Sequence, residues 1–272
     1  MKDLLKADFY RILKSKLTLI VFIIGFALPI LIALLIFGIN KLLISEFFAM
    51  YDTTEGVENV VLTSRQFIVS ALSPMQNFGI AVPIFSGIFI CQDMMTGSMR
   101  NKLIYGHKRS DVYTSHLIVS IVFNISLIFV YFLSTVLFTS LFLPYGVEFN
   151  TNEFKFLLLV FIYGIICYVF IGTLSTMFAF LFRNLAPTII FTIVSLYGLS
   201  LAVFFNIIID MDYLCWVPLV SSTEVTTSAL SVASGEMGLN TYHYLAGIGS
   251  CIIFGMLFSF LGFLRFKKCD LK

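Results

Sequence analysis

Charged residues are scarce in this chain. Asp, Glu, Lys and Arg together make up 12% of its 272 residues, whereas 59% of the residues are hydrophobic. Soluble domains carry about 25% charged residues, so this composition excludes a water-soluble protein. No polar stretch is long enough to build a soluble core of its own. The sequence therefore predicts one integral membrane domain that covers residues 1–272.

Sequence motifs of catalysis are also missing. The chain has no G-x-S-x-G, no H-E-x-x-H and no local carboxylate cluster, and its three histidines, His107, His116 and His243, are far apart. We predict that these histidines are loop or interface residues, and we expect no catalytic residue and no metal site. A G-x-x-x-x-G-K-[ST] motif for ATP binding is absent too. The chain is therefore not expected to be an enzyme, and ATP-driven work would need a second polypeptide.

Ionisable side chains are absent from the middle of the long apolar segments, and Asp93 and Asp210 lie only at segment ends. Secondary transporters and proton pumps usually keep such groups at mid-depth to bind the coupling ion. Their absence disfavours an ion-coupled carrier. That alternative stays open, since carbonyl and hydroxyl oxygens alone can hold sodium.

Six apolar segments each approach the ~20 residues that a helix needs to cross a bilayer. They cover residues 17–39, 68–91, 117–143, 157–182, 187–209 and 244–264. The second contains Pro74, Gly79 and Pro83, which predicts a broken or late-starting helix. Residues 1–16 combine apolar positions at helical spacing with several cations, which is typical of an interfacial amphipathic helix. The predicted fold is all-α with six transmembrane helices.

Lys and Arg are distributed unevenly about these segments. Fourteen of the seventeen lie in one set of connections, whereas Lys41, Arg65 and Lys155 lie in the opposite set. The positive-inside rule then places both termini and the 93–116 loop in the cytoplasm. The outer connections are 40–67, 144–156 and 210–243, and the last is predicted to be an interfacial or re-entrant element. Because membrane insertion explains the basic residues, no nucleic acid partner is expected.

The 93–116 loop has the pattern of a short surface helix. Thr96 or Ser98 can cap its start, and Gly106 can end it. Met99, Leu103 and Ile104 are predicted to form an apolar stripe, with Arg100, Asn101 and Lys102 facing elsewhere. Ser110 can cap the next helix, which has Asp111 in its first turn. The loop is either a docking surface for a soluble partner or an ordinary basic loop, and spacing alone does not distinguish these.

The run from Asp93 to Tyr113 resembles the segment between the second and third spans of ABC-2 type transporter permeases. It is especially similar to the bacterial, Firmicutes-like branch of antibiotic-peptide and multidrug exporters and immunity transporters. In that family an acidic residue, Gly-Thr or Gly-Ser, a basic helix, and Gly or Pro before Ser-Arg mark a coupling segment. Asp93 replaces a more frequent Glu, and Lys108-Arg109-Ser110 reorders the usual Ser-Arg. The residues that the resemblance assigns to ATPase-subunit coupling are Asp93, Gly97, Arg100, Asn101, Lys102, Gly106, His107, Lys108, Arg109 and Ser110.

The resemblance implies a permease subunit in the bacterial plasma membrane. Its partners would be two copies of an ABC nucleotide-binding subunit and a second permease chain, identical or related. ATP and Mg²⁺ would be bound by the ATPase subunit, and no cofactor is expected in this chain. The transport path would lie between two permeases, lined by the first, second and fifth spans, and would carry an amphiphilic peptide, drug or lipid outward.

The substrate site stays unknown. Polar residues that could line the path on the fifth span are Thr192, Ser195, Ser200 and Asn206, although such side chains more often bond within the helix or to a neighbouring helix. A different class of function also stays open, namely a non-transporting scaffold or sensor whose loop binds a regulator.

Overall fold

The computed structural model describes residues 2–51, 61–73, 79, 81–146, 149–209, 216–219 and 241–268. Within 47–51, 200, 202–209, 241 and 243 it describes the backbone alone. The described part of the chain forms nine α-helices. These are α1 (Lys2–Lys14), α2 (Lys16–Tyr51), α3 (Ser64–Ala71), α4 (Ala81–Met95), α5 (Ser98–Ile104), α6 (Arg109–Phe142), α7 (Thr151–Phe182), α8 (Leu185–Ile209) and α9 (Thr241–Lys267).

Four helices contain stretches that are long and apolar enough to cross a membrane. The stretches are Lys16–Glu46, Arg109–Phe142, Thr151–Phe182 and Tyr244–Lys267. They confirm the predicted class, an all-helical protein with the character of a multi-pass membrane protein. Two shorter apolar helices, Ala81–Met95 and Leu185–Leu199, overlap the second and fifth predicted spans. The count of six crossings stays a prediction.

The break predicted in the second span is present. α3 ends at Ala71 and α4 begins at Ala81. At the start of α3, the backbone N–H of Thr63 donates to Gln66 Oε1 at 3.2 Å, which satisfies a donor that the first turn leaves unpaired. Pro83 lies in the first turn of α4, where its missing N–H removes no helical hydrogen bond. Pro74 lies outside the described residues.

α7 lies at the centre of the bundle and packs against α4, α6, α8 and α9. Its glycines permit close approach of these neighbours. A Cβ on Gly172 would collide with the side-chain amide of Asn124 in α6, and a Cβ on Gly164 would lie 2.9 Å from Leu72 Cβ at the end of α3. Because interiors are close-packed, glycine is the residue that fits these two contacts.

The bundle has two chemically different ends. At one end, here called the basic end, Lys102 of α5 and Ser115 of α6 both donate to the carboxylate of Asp8 in α1. At the opposite end, here called the far end, the backbone N–H of Ser64 donates to the carbonyl oxygen of Pro144 at 2.9 Å. Both amide atoms of Asn40 bond the backbone of Leu62 there. The predicted inner loop and N-terminal helix therefore share one end of the bundle.

The outer segment predicted over 210–243 lies almost wholly outside the described residues, as does 52–60 of the first outer loop. In the described part, Trp216 Nε1 donates to Tyr242 Oη at 3.2 Å, close to the start of α9. The prediction of a re-entrant element stays a prediction.

Candidate functional site

The short helix predicted in the 93–116 loop exists as α5, and glycines bound it on both sides. Gly97 precedes α5 with φ 72°, and Gly106 follows it with φ 88°, both in the left-handed region that favours glycine. The N–H groups of Gly106 and His107 bond the carbonyl oxygens of Leu103 and Lys102, which is the Schellman pattern of a helix end. Gly106 therefore ends α5 as predicted.

The predicted caps at the two helix starts are wrong. The backbone of Gly97 takes the N-cap position of α5, and Thr96 Oγ1 donates instead to the carbonyl oxygen of Gln92 at 2.8 Å, back onto α4. The next helix, α6, is preceded by Lys108 rather than by Ser110, and no side chain caps it. Asp111 does lie in its first turn. The left-handed glycine turn, rather than a side-chain cap, sets the direction of α5.

The two faces of α5 differ from the predicted stripe. Met99 is fully buried, but Ile104 is 70% exposed and Tyr105, the next residue, is 84% exposed. Arg100 and Asn101 are exposed as predicted, whereas Lys102 points inward, with 14% of its side chain exposed. The outer face is therefore mixed basic and apolar, and the inner face carries a cation.

Lys102 reaches two buried carboxylates that belong to two other helices. Its Nζ donates to Asp8 Oδ1 of α1 at 2.7 Å and to Asp93 Oδ2 of α4 at 3.3 Å. Asp8 and Asp93 are 2% and 3% exposed. A buried charge is tolerated only when it is paired, so these contacts fix the position of α5 relative to α1 and α4.

Three further side chains complete this group. His116 of α6 is fully buried, and its Nε2 lies 3.3 Å from both Lys102 Nζ and Asp93 Oδ2. Ser115 Oγ donates to Asp8 Oδ2 at 2.8 Å, and Arg11 Nη1 donates to Asp93 Oδ1. We call this group the basic-end cluster; its members are Asp8, Arg11, Asp93, Lys102, Ser115 and His116.

The basic-end cluster balances its charges. Two carboxylates face the two cations Arg11 and Lys102, so the group is neutral when the imidazole is neutral. Burial raises the pKa of the Asp8 carboxyl, but His116, the charge of Lys102 and hydrogen bonds from Lys102 and Ser115 together hold that pKa below its ordinary value. Asp8 is therefore an ionised partner that the cations require.

Asp8, Asp93 and His116 also form a possible donor set for a metal ion, because one ligand atom from each lies within 4.8 Å of the others. The Lys102 ammonium group lies within 3.3 Å of an atom of each of these three residues. It takes the position that a divalent cation would need. The geometry favours a structural ion network over a metal centre at this place.

The remaining predicted coupling residues lie at the junction of α5 and α6. Arg109 Nη1 donates to the carbonyl oxygens of Phe266 and Lys267, both at 3.2 Å, and so joins the start of α6 to the end of α9. Lys108 is exposed, whereas His107 and Ser110 are half-buried. Of the predicted coupling cations, Arg100 and Lys108 are exposed, whereas Lys102 and Arg109 hold helices together.

Sequence reasoning missed four members of the basic-end cluster, and it was wrong to place His116 in a loop or interface. Signals for two of them exist. Asp8 stands four residues from both Leu4 and Ile12, which are buried on the same face of α1. His116 stands four residues after the buried Val112 of α6. A charged residue within a buried apolar stripe indicates a paired charge, but its partners cannot be identified from the stripe alone.

Two of the four polar residues suggested for a transport path bond within their own helix. Thr192 is buried and donates to the carbonyl oxygen of Thr188 at 2.7 Å. Ser195 is half-buried and donates to the carbonyl oxygen of Phe191, also at 2.7 Å. These bonds are the common behaviour of such residues in apolar helices. The side chains of Ser200 and Asn206 lie outside the described residues.

A second buried ion pair lies at the far end. Arg65 Nε of α3 donates to Glu153 Oε1 of α7 at 2.6 Å, and Arg65 Nη2 lies 3.4 Å from Oε2. Their side chains are 5% and 10% exposed. Tyr145 Oη also donates to Glu153 Oε1 at 3.0 Å, and burial and the Glu153 charge raise the pKa of this phenol. We call Arg65 and Glu153 the far-end pair.

No protein-family profile matches this chain, and no curated protein matches it at a significant level. The resemblance to ABC-2 type permeases thus depends on residues 93–113 and on the order of spans and loops predicted from the sequence.

Proposed function

We propose that this chain is the permease subunit of an ATP-binding cassette exporter of the ABC-2 type, and that α5 is the element that a separate ATPase subunit contacts. The observation that carries the proposal is the two-sided character of α5. Its outer face exposes Arg100 and Ile104, with the exposed Tyr105 directly after the helix, while Lys102 on the inner face is bound into the basic-end cluster.

This arrangement would allow α5 to transmit a displacement caused by a bound partner to the rest of the bundle. α5 has only seven residues and is bounded by two glycine turns, so it can move as one body relative to the backbone on either side. Its strongest side-chain contacts lead to α1, α4 and α6. A displacement of α5 would therefore be carried to three helices at once, since the buried carboxylates cannot lose Lys102 without a large cost.

The exposed surface of α5 suits a protein partner. Arg and Tyr are the residue types most enriched at the energetic centre of protein interfaces. Exposed Ile104 and Tyr105 lie close to Arg100 in the chain, which gives this surface a mixed apolar and basic character. The proposed partner is an ATPase subunit, present in two copies, that binds ATP and Mg²⁺.

The proposed topology has six spans with both termini in the cytoplasm, in a bacterial plasma membrane. It is supported by the meeting of α1, α5, the start of α6 and the end of α9 at the basic end. In this topology that end faces the cytoplasm, where the ATPase subunit is located. A second permease chain completes the path, and the cargo is an amphiphilic peptide, drug or lipid.

The test is affinity purification of the full chain from its host in mild detergent, with mass spectrometry to quantify a co-purified P-loop ATPase. We expect a stoichiometric ATPase with the natural sequence. The variant R100E/Y105A removes two outward side chains of the α5 region and should reduce the captured ATPase by at least about tenfold. K155E is the matched control, because Lys155 is an exposed cation of α7 at the far end.

Thermal unfolding of the purified R100E/Y105A chain should stay within a few degrees of the natural chain, since both residues are exposed. Capture of equal amounts of ATPase by R100E/Y105A and K155E would contradict the assignment of α5. Absence of any stoichiometric ATPase in several detergents and in nanodiscs would reject the exporter and favour a scaffold or an ion-coupled carrier.

A further inference from the structure

A cavity of about 620 Å³ lies between α1, the start of α2 and α4. One part of its wall is basic and is formed by Arg11 and Lys14. Another part is apolar and includes Leu17, Phe85 and Phe89. The two kinds of wall lie side by side, as an amphiphile with an anionic group would require.

Two polar groups at this cavity lack a partner. Thr18 is 5% exposed and lines the cavity, and its hydroxyl has no hydrogen-bond partner in the described structure. Arg11 Nη2 is also buried and makes no hydrogen bond; its distance to Asp8 Oδ1, 3.9 Å, is too long for one. Buried polar atoms are nearly always paired, so an unpaired hydroxyl and an unpaired guanidinium nitrogen at one cavity indicate an acceptor-rich ligand.

The start of α2 adds to the same preference. α2 begins at Lys16, and Ser15, Leu17 and Thr18 line the cavity. The first backbone N–H groups of a helix have no partner within the helix, and they carry partial positive charge. Such a helix start binds phosphate groups when a cation stands beside it.

The charges of the cavity favour an anion. Among the described residues that line it, Asp93 is the single carboxylate, and it already bonds Arg11 and Lys102. Lys14 is exposed, and its ammonium group lies 4.8 Å from the centre of the Tyr10 ring. The cavity wall therefore keeps an excess of positive charge once the ion pairs of Asp93 are counted.

We propose that this cavity binds the headgroup of an anionic phospholipid. The apolar wall selects a lipid over a free phosphate, because the acyl chains can lie against Leu17 and Phe89. The expected depth of the cavity in the membrane agrees with this proposal. Lys14 and Lys16 precede an uncharged run over residues 17–39, so the cavity lies at the boundary between the charged N-terminal residues and the first apolar segment. Lipid headgroups occupy that boundary. This proposal does not rest on the proposed function.

The test measures lipid retained by the full chain. The protein is reconstituted in nanodiscs of equal parts phosphatidylglycerol and phosphatidylcholine, extracted in mild detergent, and analysed by native mass spectrometry. We expect one phosphatidylglycerol per chain to be retained in preference to phosphatidylcholine. K14Q/T18V removes one cation and the unpaired hydroxyl and should weaken this retention by about tenfold. K6Q makes the same charge change at an exposed position of α1 that does not line the cavity, and should have less than about a twofold effect.

Equal retention of the two lipids by the natural chain would overturn the proposal without reference to any variant. Retention by K14Q/T18V equal to that of K6Q would overturn the location. A third arm adds inorganic phosphate during extraction. Displacement of phosphatidylglycerol by millimolar phosphate would assign the cavity to a free anion instead, whereas retention in its presence supports the lipid.

Discussion

The two ends of the bundle both join helices through buried charged side chains, but they differ in the number of side chains involved. At the far end, one Arg and one Glu form a pair that joins α3 to α7, with Tyr145 as an added donor. At the basic end, four charged side chains, an imidazole and a hydroxyl join α1, α4, α5 and α6. Each end uses buried charge to hold short helices against long ones. At the far end Glu153 accepts from one cation and from Tyr145, whereas at the basic end Lys102 and Asp93 each contact two charged partners.

The far-end pair and the basic-end cluster differ in how many charged partners remain when one contact is lost. In the far-end pair one Arg and one Glu carry the buried charges, so the loss of Glu153 removes the carboxylate that Arg65 contacts. In the basic-end cluster, Lys102 contacts both Asp8 and Asp93, and Asp93 contacts both Lys102 and Arg11. A network of this kind can shift its hydrogen bonds while α5 moves, whereas the far-end pair is suited to stay fixed. This contrast is consistent with a moving element at the basic end.

The substitution Asp93→Asn is expected to have the largest effect on stability. It removes the carboxylate that contacts Arg11, Lys102 and His116, and it leaves the largely buried Lys102 and the partly exposed Arg11 with Asp8 alone. We expect a loss of roughly 3–5 kcal/mol of unfolding free energy, which thermal unfolding in detergent can measure. D3N is the control, because Asp3 is an exposed carboxylate of α1, and a change of less than about 1 kcal/mol is expected there. Equal destabilisation by D93N and D3N would contradict the cluster.

The far-end pair allows a test with one buried cation and one buried carboxylate. E153L removes the carboxylate that the buried Arg65 guanidinium contacts. It should lower the free energy of unfolding by roughly 3 kcal/mol. The double substitution R65M/E153L removes both charges and should recover more than half of that loss, because an apolar pair of similar volume needs no partner. At the basic end the corresponding double substitution is D8N/K102M. It should recover a smaller fraction of the unfolding free energy that the single substitution loses, because Asp93, Arg11 and His116 remain in the cluster after Lys102 is removed. If both double substitutions recover the same fraction of the lost unfolding free energy, the basic-end cluster does not behave as a network that differs from the far-end pair.

A side chain added where the α9 backbone packs closely against α6 and α7 should have a smaller effect on stability. A Cβ on Gly262 of α9 would lie 2.7 Å from Tyr113 Oη and 3.3 Å from Met177 Cα, and the Tyr113 hydroxyl donates to the carbonyl oxygen of Ser259. G262A should therefore cost about 1–3 kcal/mol by overpacking. G198A is the control, since nothing lies within 4 Å of a Cβ at that position, and it should be neutral or stabilising by about 0.5–1 kcal/mol. Equal unfolding temperatures for the two variants would show that α9 is free to move away from α6.

Much of the architecture could be predicted from local sequence signals. The lengths of the apolar segments indicated the long helices, and Pro74, Gly79 and Pro83 indicated the break before α4. Gly106 indicated the end of α5, because a left-handed residue there closes a Schellman turn. These signals act within a few residues and can be read without knowledge of the partner helices.

The inward orientation of Lys102 could not be predicted in this way. Arg100 and Lys102 are both basic and lie on different faces of α5, and the sequence of α5 does not show which face is buried. The deciding carboxylate, Asp8, stands 94 residues earlier in the chain. The same limit applies to His116, whose contacts come from α4 and α5. Pairing of buried charges between distant segments is thus the part of the site that needs the structure.

Acid should weaken the basic-end cluster more than the rest of the molecule, and this is the smallest expected effect. The folded-state pKa of Asp8 lies below its ordinary value of 3.8, so Asp8 stabilises the fold above that pH, and the contribution is lost as pH falls through the folded pKa. The difference in unfolding temperature between the natural chain and D8N should therefore be constant near neutral pH and should narrow below pH 3.8. D3N, at an exposed position, should show no such narrowing. A D8N difference that persists unchanged into strong acid would mean that Asp8 acts through its shape and hydrogen bonds rather than through its charge, and the contrast between network and pair would then depend on Asp93 alone.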